Sequence, residues 1–352
     1  MNKQNKQKTM KLSIFISLVL SISIILLILY FTINDTTINY LTTQNIKYEY
    51  FFIAAGISIL FWFIWGLRLK ILSNSIDKNV KISFWESTKI VIANLFLANI
   101  TPSLAGGEPV RIYLLNKNGL SVGSATAAVL GERLLDAIFL MCCFPFAFYI
   151  LRNHIDIGPL KIGLTIAIIV FIIVIFAFLY ALKNPSGIKS FLSFITNKLY
   201  KFFKKKEGES KLIEKINDEV DNFHESMVFF LSEGKIAFIK SGIVTVMLWL
   251  TGWLTPSFIF MGLGLDPFVI ESYAAQVLLI IIAMMPTTPG SAGVTEGGAA
   301  ALFSVFINSS LIGVFILLYR FITYHMGLIA GAIFQYRIFK SVASFSLDSI
   351  RK

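Results

Sequence analysis

Charge, cysteine and histidine are all scarce in this sequence. Only 14% of its 352 residues are Asp, Glu, Lys or Arg, and it holds 2 cysteines and 3 histidines. The cysteines, Cys142 and Cys143, are neighbours in an apolar run. Adjacent residues suit neither an ordinary disulfide nor the spacing of metal ligands, so both read as small hydrophobes. His154, His224 and His325 lie far apart and form no H-x-x-x-H pair, which argues against a zinc hydrolase. No G-x-x-x-x-G-K-[ST] occurs either, so nucleotide hydrolysis by a P-loop is excluded. The expectation is a chain without metal or cofactor.

What the sequence has instead is apolar length. Hydrophobic residues make up 56% of it, the mean hydropathy is +0.75, and several runs approach the 20 or so residues that cross a bilayer. A polytopic, all-α membrane bundle follows. The run from Leu12 to Ile33 comes after a lysine-rich start, but it is longer than a signal-peptide core and has no small-residue cleavage site, so it reads as a span. The net charge of +11 belongs to cytoplasmic loops and anionic headgroups rather than to nucleic acid.

Six continuous apolar segments, roughly 12–33, 50–72, 121–151, 159–182, 236–262 and 310–336, can span. Two others, 86–115 and 273–306, are broken near their centres. Pro102, Gly106, Gly107 and Pro109 interrupt the first, and Pro286, Pro289, Gly290 and Gly293 the second. The piece from Ser272 to Met285 would give a helix of about 21 Å against a hydrocarbon core of about 30 Å, so it cannot cross alone.

Charge placement decides how the broken regions run. If both are re-entrant hairpins, 26 of the 31 lysines and arginines fall on one side, in the N-terminus, 68–89, 111–117, 183–240 and the C-terminus. Only Lys47, Arg152 and Lys161 fall on the other, and Arg133 and Arg320 lie within spans. A simple crossing at either break would place a basic segment outside, against the positive-inside rule. Both termini are therefore expected in the cytoplasm, in the cell membrane. The hairpins then enter from opposite faces, an inverted repeat with halves at about 86–182 and 236–340 joined by a cytoplasmic loop, 183–235. That loop, a lysine run (Lys198 to Lys211) followed by an acidic helical piece (Glu214 to Glu233), reads as a solvated connector.

Ionisable residues at depth are costly and mark function unless they lock helices together as structural ion pairs. Both alternatives apply to Glu108, Glu132, Arg133, Asp136, Glu296 and Arg320. Glu132, Arg133 and Asp136 can share one helical stripe. At each break the half-helix start leaves N–H groups that suit a phosphate or carboxylate, or a glutamate capping the helix. Pro109 fits the first turn after Glu108, and the G-x-x-x-G of Gly327 and Gly331 reads as close packing. Inverted, broken helices are a recurrent transporter plan. A membrane-embedded transferase is the alternative, although no Ser/His or Cys/His pair accompanies Glu132 or Glu296; the repeated polar rings of a channel are not seen.

"TPSLAGGEPVRIYLL" (from Thr101), "GERLLD" (from Gly131) and "MPTTPGSAGVTEGG" (from Met285) resemble the flippase-like membrane region of lysylphosphatidylglycerol synthases. The resemblance implies a translocase moving a charged or lipid-linked headgroup between leaflets, rather than an enzyme. It carries Glu108, Arg111, Glu132, Arg133 and Asp136 in the first half, and Thr288, Pro289, Gly290, Gly293 and Glu296 in the second, as candidate site residues. Arg320 joins them by its depth. Anionic, aminoacylated or polyprenyl-linked lipids would be the partners, with the phosphate on Arg133, Arg320 and the half-helix starts. A homodimer and a separate lipid-synthesising transferase are further partners it allows. The family's soluble aminoacyl-transfer domain has no counterpart here, so lipid synthesis is not implied; a lipid-modifying enzyme or its accessory subunit remains the second reading.

Overall fold

The computed structural model describes residues 35–43, 46–77, 79–99, 107–151, 209–283, 291 and 293–333, with single positions between 23 and 30 and between 169 and 190. The expected spans 12–33 and 159–182 fall almost wholly outside this set, as do Pro102, Gly106, Pro286, Thr288, Pro289 and Gly290. Every regular element among the described residues is a helix, and none is a strand.

The helices are α1 (Asp35–Thr43), α2 (Tyr48–Ile76), α3 (Phe84–Asn99), α4 (Gly107–Lys117), α5 (Val122–Leu151) and α6 (Glu209–Leu231). After them come α7 (Lys235–Gly252), α8 (Thr255–Gly262), α9 (Val269–Ala283), α10 (Val294–Phe303) and α11 (Ser309–Arg320). A π-turn, Phe321–His325, continues α11. Four described segments are long and apolar enough to cross a membrane: Tyr48–Ile76, Val122–Leu151, Lys235–Gly262 and Ser309–Ile333.

Local sequence explains where several helices begin. Ser83 Oγ accepts from the Glu86 N–H at 3.1 Å, Ser121 Oγ from the Ser124 N–H at 3.0 Å, and Asn308 Oδ1 from the Ser310 N–H at 3.3 Å. Each is an N-cap that satisfies a donor the helix cannot. Gly119, at φ +107°, ends α4 in the left-handed turn that glycine adopts without strain.

The long helices are hydrophobic on most sides, and their exposed residues include Phe52, Ile239, Ile243 and Met247. Apolar surface on that scale belongs against lipid.

Two buried clusters sit at opposite ends of the bundle. Ala54, early in α2, joins Leu140, Ala147 and Leu151, late in α5, together with Phe260, Leu279, Phe303 and Phe315. Trp65, Leu69 and Leu72, late in α2, join Ala125, Ala128 and Val129, early in α5, with Ile90, Leu115, Met227 and Phe230. Helices α2 and α5 therefore run antiparallel. The pair α3–α4 belongs to one end and the pair α9–α10 to the other.

Both interrupted regions are two helices packed on each other across the break. A Cβ on Gly107 would fall 2.2 Å from Asn94 Oδ1, and one on Gly298 would fall 3.1 Å from Leu279 Cδ1. The chain thus folds back closely on itself at each place.

The acidic stretch before α7 differs from the solvated connector expected. Val220, Met227 and Phe230 of α6 are buried, Ser226 Oγ meets Ser124 Oγ at 3.1 Å, and the helix lies along α5. Its apolar residues recur at helical spacing on one face, and burying that face outweighs the solubility of the charged one.

Candidate functional site

Three helices that pack on one another, α2, α5 and α7, bring polar side chains into the interior. Glu132 is 0% exposed and Asp136 4%. They stand one turn apart on α5, so both reach the same neighbours. Arg68 of α2, itself 0% exposed, donates from Nε to Glu132 at 3.0 Å and from Nη1 to Asp136 at 2.5 Å. Its Nη1 also reaches Thr245 Oγ1 at 3.1 Å, and the Trp249 indole N–H donates to Asp136 at 2.8 Å. Arg111 of α4 donates from Nη1 to the other oxygen of Glu132, and its guanidinium lies 5.3 Å from the Trp65 ring centre. Glu132 is therefore held between two arginines.

Next to this buried group lies a more open pair. Arg133 donates to Glu108 from Nε at 3.0 Å and from Nη2 at 2.6 Å, and its Nη1 stands 3.5 Å from Asp136. The Arg133 side chain is 38% exposed and that of Glu108 28%. Glu108 occupies the first turn of α4, immediately before Pro109.

The second break repeats the arrangement. Glu296 lies in the first turn of α10, and its Oε1 accepts from Arg320 Nε at 2.8 Å. Its Oε2 accepts from the Gly293 N–H at 2.6 Å, so the carboxylate closes the helix start from the third helical position. Gly293 itself sits at φ +86°, a conformation that favours glycine. Ser291 Oγ donates to Ala283 O at 2.9 Å, satisfying a carbonyl at the end of α9 across the break. Here the pair is shut away: Arg320 and Glu296 side chains are 5% and 0% exposed.

Arg320 also rests over the Tyr324 ring, 4.2 Å from its centre. Tyr324 OH donates to Asn99 O at 3.1 Å, and Asn99 Nδ2 donates back to Tyr324 O at 3.3 Å. The end of α3, before the first break, is thereby tied to the π-turn that follows Arg320. His325 Nδ1 and Arg320 O are 3.1 Å apart within that turn. Such turns open the helix backbone and occur often at functional positions.

Of the residues picked from the sequence, Glu108, Arg111, Glu132, Arg133 and Asp136 come together, as do Gly293, Glu296 and Arg320. Two assignments change. Arg68 and Arg111, placed in cytoplasmic loops by charge counting, are fully buried inside helices. Arg133 and Arg320, for which both a phosphate and a structural ion pair were open, are each bonded to a carboxylate. Arg68 carried a signal that was missed: Trp65, Arg68, Leu69 and Leu72 share one helical face, so the residue lies on the core stripe rather than past its end. Removing both buried arginines from the loop count leaves 24 basic residues against 3, so the charge asymmetry keeps its sign.

An all-helical chain with membrane-crossing segments and charge clusters held inside it is a multi-pass membrane protein. Residues 14–331 match the family model of the lysylphosphatidylglycerol synthase TM region, and the chain belongs to that family. It is 34% identical to a UPF0104 membrane protein of Archaeoglobus fulgidus over 331 residues, covering 93% of this chain and 97% of that one. A UPF0104 membrane protein of Pyrococcus horikoshii is 26% identical over 342 residues, covering 94% and 99%. One of Methanocaldococcus jannaschii is 26% identical over 326 residues, covering 90% and 93%.

Proposed function

We propose that the protein is a lipid translocase, in which a charged or lipid-linked headgroup passes between leaflets along a polar path built from the two interrupted helix pairs. One observation carries this reading: the same carboxylate–guanidinium pair is made twice, each time where a short helix restarts after a break. Glu108–Arg133 is part-exposed and Glu296–Arg320 is closed.

A headgroup with phosphate and hydroxyl or ammonium groups can exchange with such a pair, its anion taking the arginine and its donor the glutamate. Charge is then conserved at depth, where an unpaired ion is costly. Placing the two pairs in opposite halves of an inverted repeat, about 86–182 and 236–340, with the hairpins re-entrant from opposite faces, gives each leaflet one of them. The termini and the lysine-rich 183–235 segment lie on the cytoplasmic side of the cell membrane in this scheme, following the basic residues.

The test is leaflet exchange in proteoliposomes carrying fluorescent phosphatidylglycerol, an aminoacylated phosphatidylglycerol or a polyprenyl phosphate. Exchange faster than in protein-free vesicles is expected for at least one of the three. Rates equal to empty vesicles in all three sink the proposal, and a change in lipid mass rather than sidedness would replace it with a lipid-modifying activity.

A further inference from the structure

Among the arginines of the first cluster, Arg111 is the one with buried nitrogens that have no hydrogen-bond partner. Arg68 places Nε on Glu132, Nη1 on Asp136 and Thr245, and Nη2 on Asp136 at 3.3 Å. Arg133 places Nε and Nη2 on Glu108. Arg111 uses only Nη1, on Glu132. Its Nε and Nη2 have no partner, although the side chain is 0% exposed.

Those two N–H groups lie on the same edge of the guanidinium. That edge offers two parallel donors, the geometry that fits two oxygens of one phosphate or carboxylate. Its plane is fixed from two directions, by the bond to Glu132 and by the stack on Trp65. The Trp65 indole N–H is also buried and without a partner. Three unmet donors on two stacked side chains ask for an acceptor with several oxygens, because a buried donor left unbonded is costly. Asn94 Oδ1, packed on Gly107 one turn earlier on α4, is a further buried polar atom without a partner. The part-exposed Glu108 and Arg133 are near neighbours in sequence, three residues before Arg111 and next to Glu132, on the more open side of the group.

We propose that the Nε–Nη2 edge of Arg111, with the Trp65 indole N–H, binds the phosphate oxygens of a lipid headgroup. The inference rests on the translocase reading only in taking the phosphate from a lipid. To test it, the purified full chain in detergent is titrated with dioctanoyl phosphatidylglycerol and with dioctanoylglycerol, and binding is followed by native mass spectrometry. The expected preference for the phospholipid is at least about tenfold, the scale of a hydrogen bond to a charged group.

Arg111→Lys, which keeps the charge beside Glu132 but loses the double edge, should remove most of that preference. Trp65→Phe, which keeps the stacking surface and folds without a new charge, should lower it severalfold. An unchanged preference in Trp65→Phe, or in folded Arg111→Lys, overturns the site, as does a wild type that binds both lipids equally. If millimolar inorganic phosphate competes as well as the phospholipid, the oxyanion site stands and its lipid source is overturned. Leaflet exchange by the wild type with the preference unchanged in both variants removes this site and leaves the translocase standing. An Arg111-dependent preference without any exchange does the reverse.

Discussion

Glu296 and Glu108 are chemically equivalent and differently surrounded, and their surroundings set what each contributes. Glu296 is 0% exposed and accepts from Arg320 and from the Gly293 N–H. Replacing it with Gln leaves a buried guanidinium without its counter-charge, a change that costs roughly 3–5 kcal/mol in comparable buried pairs. Glu108 meets Arg133 where both side chains are part-exposed, so Glu108→Gln should cost about 1 kcal/mol or less. Asp136→Asn belongs with Glu296, because Arg68, Arg133 and the Trp249 N–H all converge on it. Unfolding of the three variants in mixed micelles should rank Glu108→Gln well apart from the other two; three equal losses would contradict the difference in burial. The residue types of this cluster were legible in the sequence, since Glu, Arg and Asp inside apolar runs are conspicuous. Which arginine pairs with which carboxylate was not. Arg68 and Glu132 are 64 positions apart, and only packing of α2 and α4 on α5 reveals that one carboxylate is shared by two guanidinium groups.

Helices meet here through glycine, and the space at each glycine separates packing from idle positions. A Cβ on Gly66 would lie 2.4 Å from Thr88 Oγ1 and 2.9 Å from Thr88 Cα, and one on Gly331 would lie 2.4 Å from Phe96 Cβ. At Gly56, on the same helix as Gly66, nothing stands within 4 Å. Gly66→Ala must therefore push α2 away from α3, and Gly331→Ala must push the helix beyond the π-turn off α3, with overpacking losses of about 1–3 kcal/mol each. Gly56→Ala should be neutral or slightly stabilising. Thermal aggregation midpoints of the three variants check this, and a loss at Gly56 equal to that at Gly66 would point to flexibility rather than contact. The element pattern itself followed from the sequence where apolar length and Pro or Gly breaks are strong signals, as in α2, α5 and the two interrupted pairs. It gave α6 as a helix too but not its buried face, because the charges masked the stripe of Val220, Met227 and Phe230; composition averages over a helix, whereas burial acts on one face.

The antiparallel course of α2 and α5 gives the molecule two chemically different ends. At one, α1 and the start of α2 join the termini of other helices: the Lys47 N–H donates to Gly262 O, Tyr40 OH to Leu263 O, and Thr37 Oγ1 to Ser310 O. Among the described residues, Lys47 is the basic residue of that end. At the other, Lys81, Lys89, Lys117 and Lys235 flank α3, α4 and α7, around a core that includes Val80, Ile82, Leu120 and Phe230. In the proposed scheme the positive-inside rule puts this second end in the cytoplasm, and with it the α3–α4 pair, leaving α9–α10 to the opposite leaflet. Sidedness can be read with single cysteines placed in a background where Cys142 and Cys143 are serine. Asn79 and Ser232 are exposed at the basic end, Asp266 and Ser304 at the other. In intact cells a membrane-impermeant maleimide should label Asp266→Cys and Ser304→Cys, and should reach Asn79→Cys and Ser232→Cys only after permeabilisation. The reverse pattern would turn the molecule over while keeping its two ends. Labelling of all four from one side would place both interrupted pairs at the same leaflet, and a headgroup path with one Glu–Arg pair near each surface could not then be built from them.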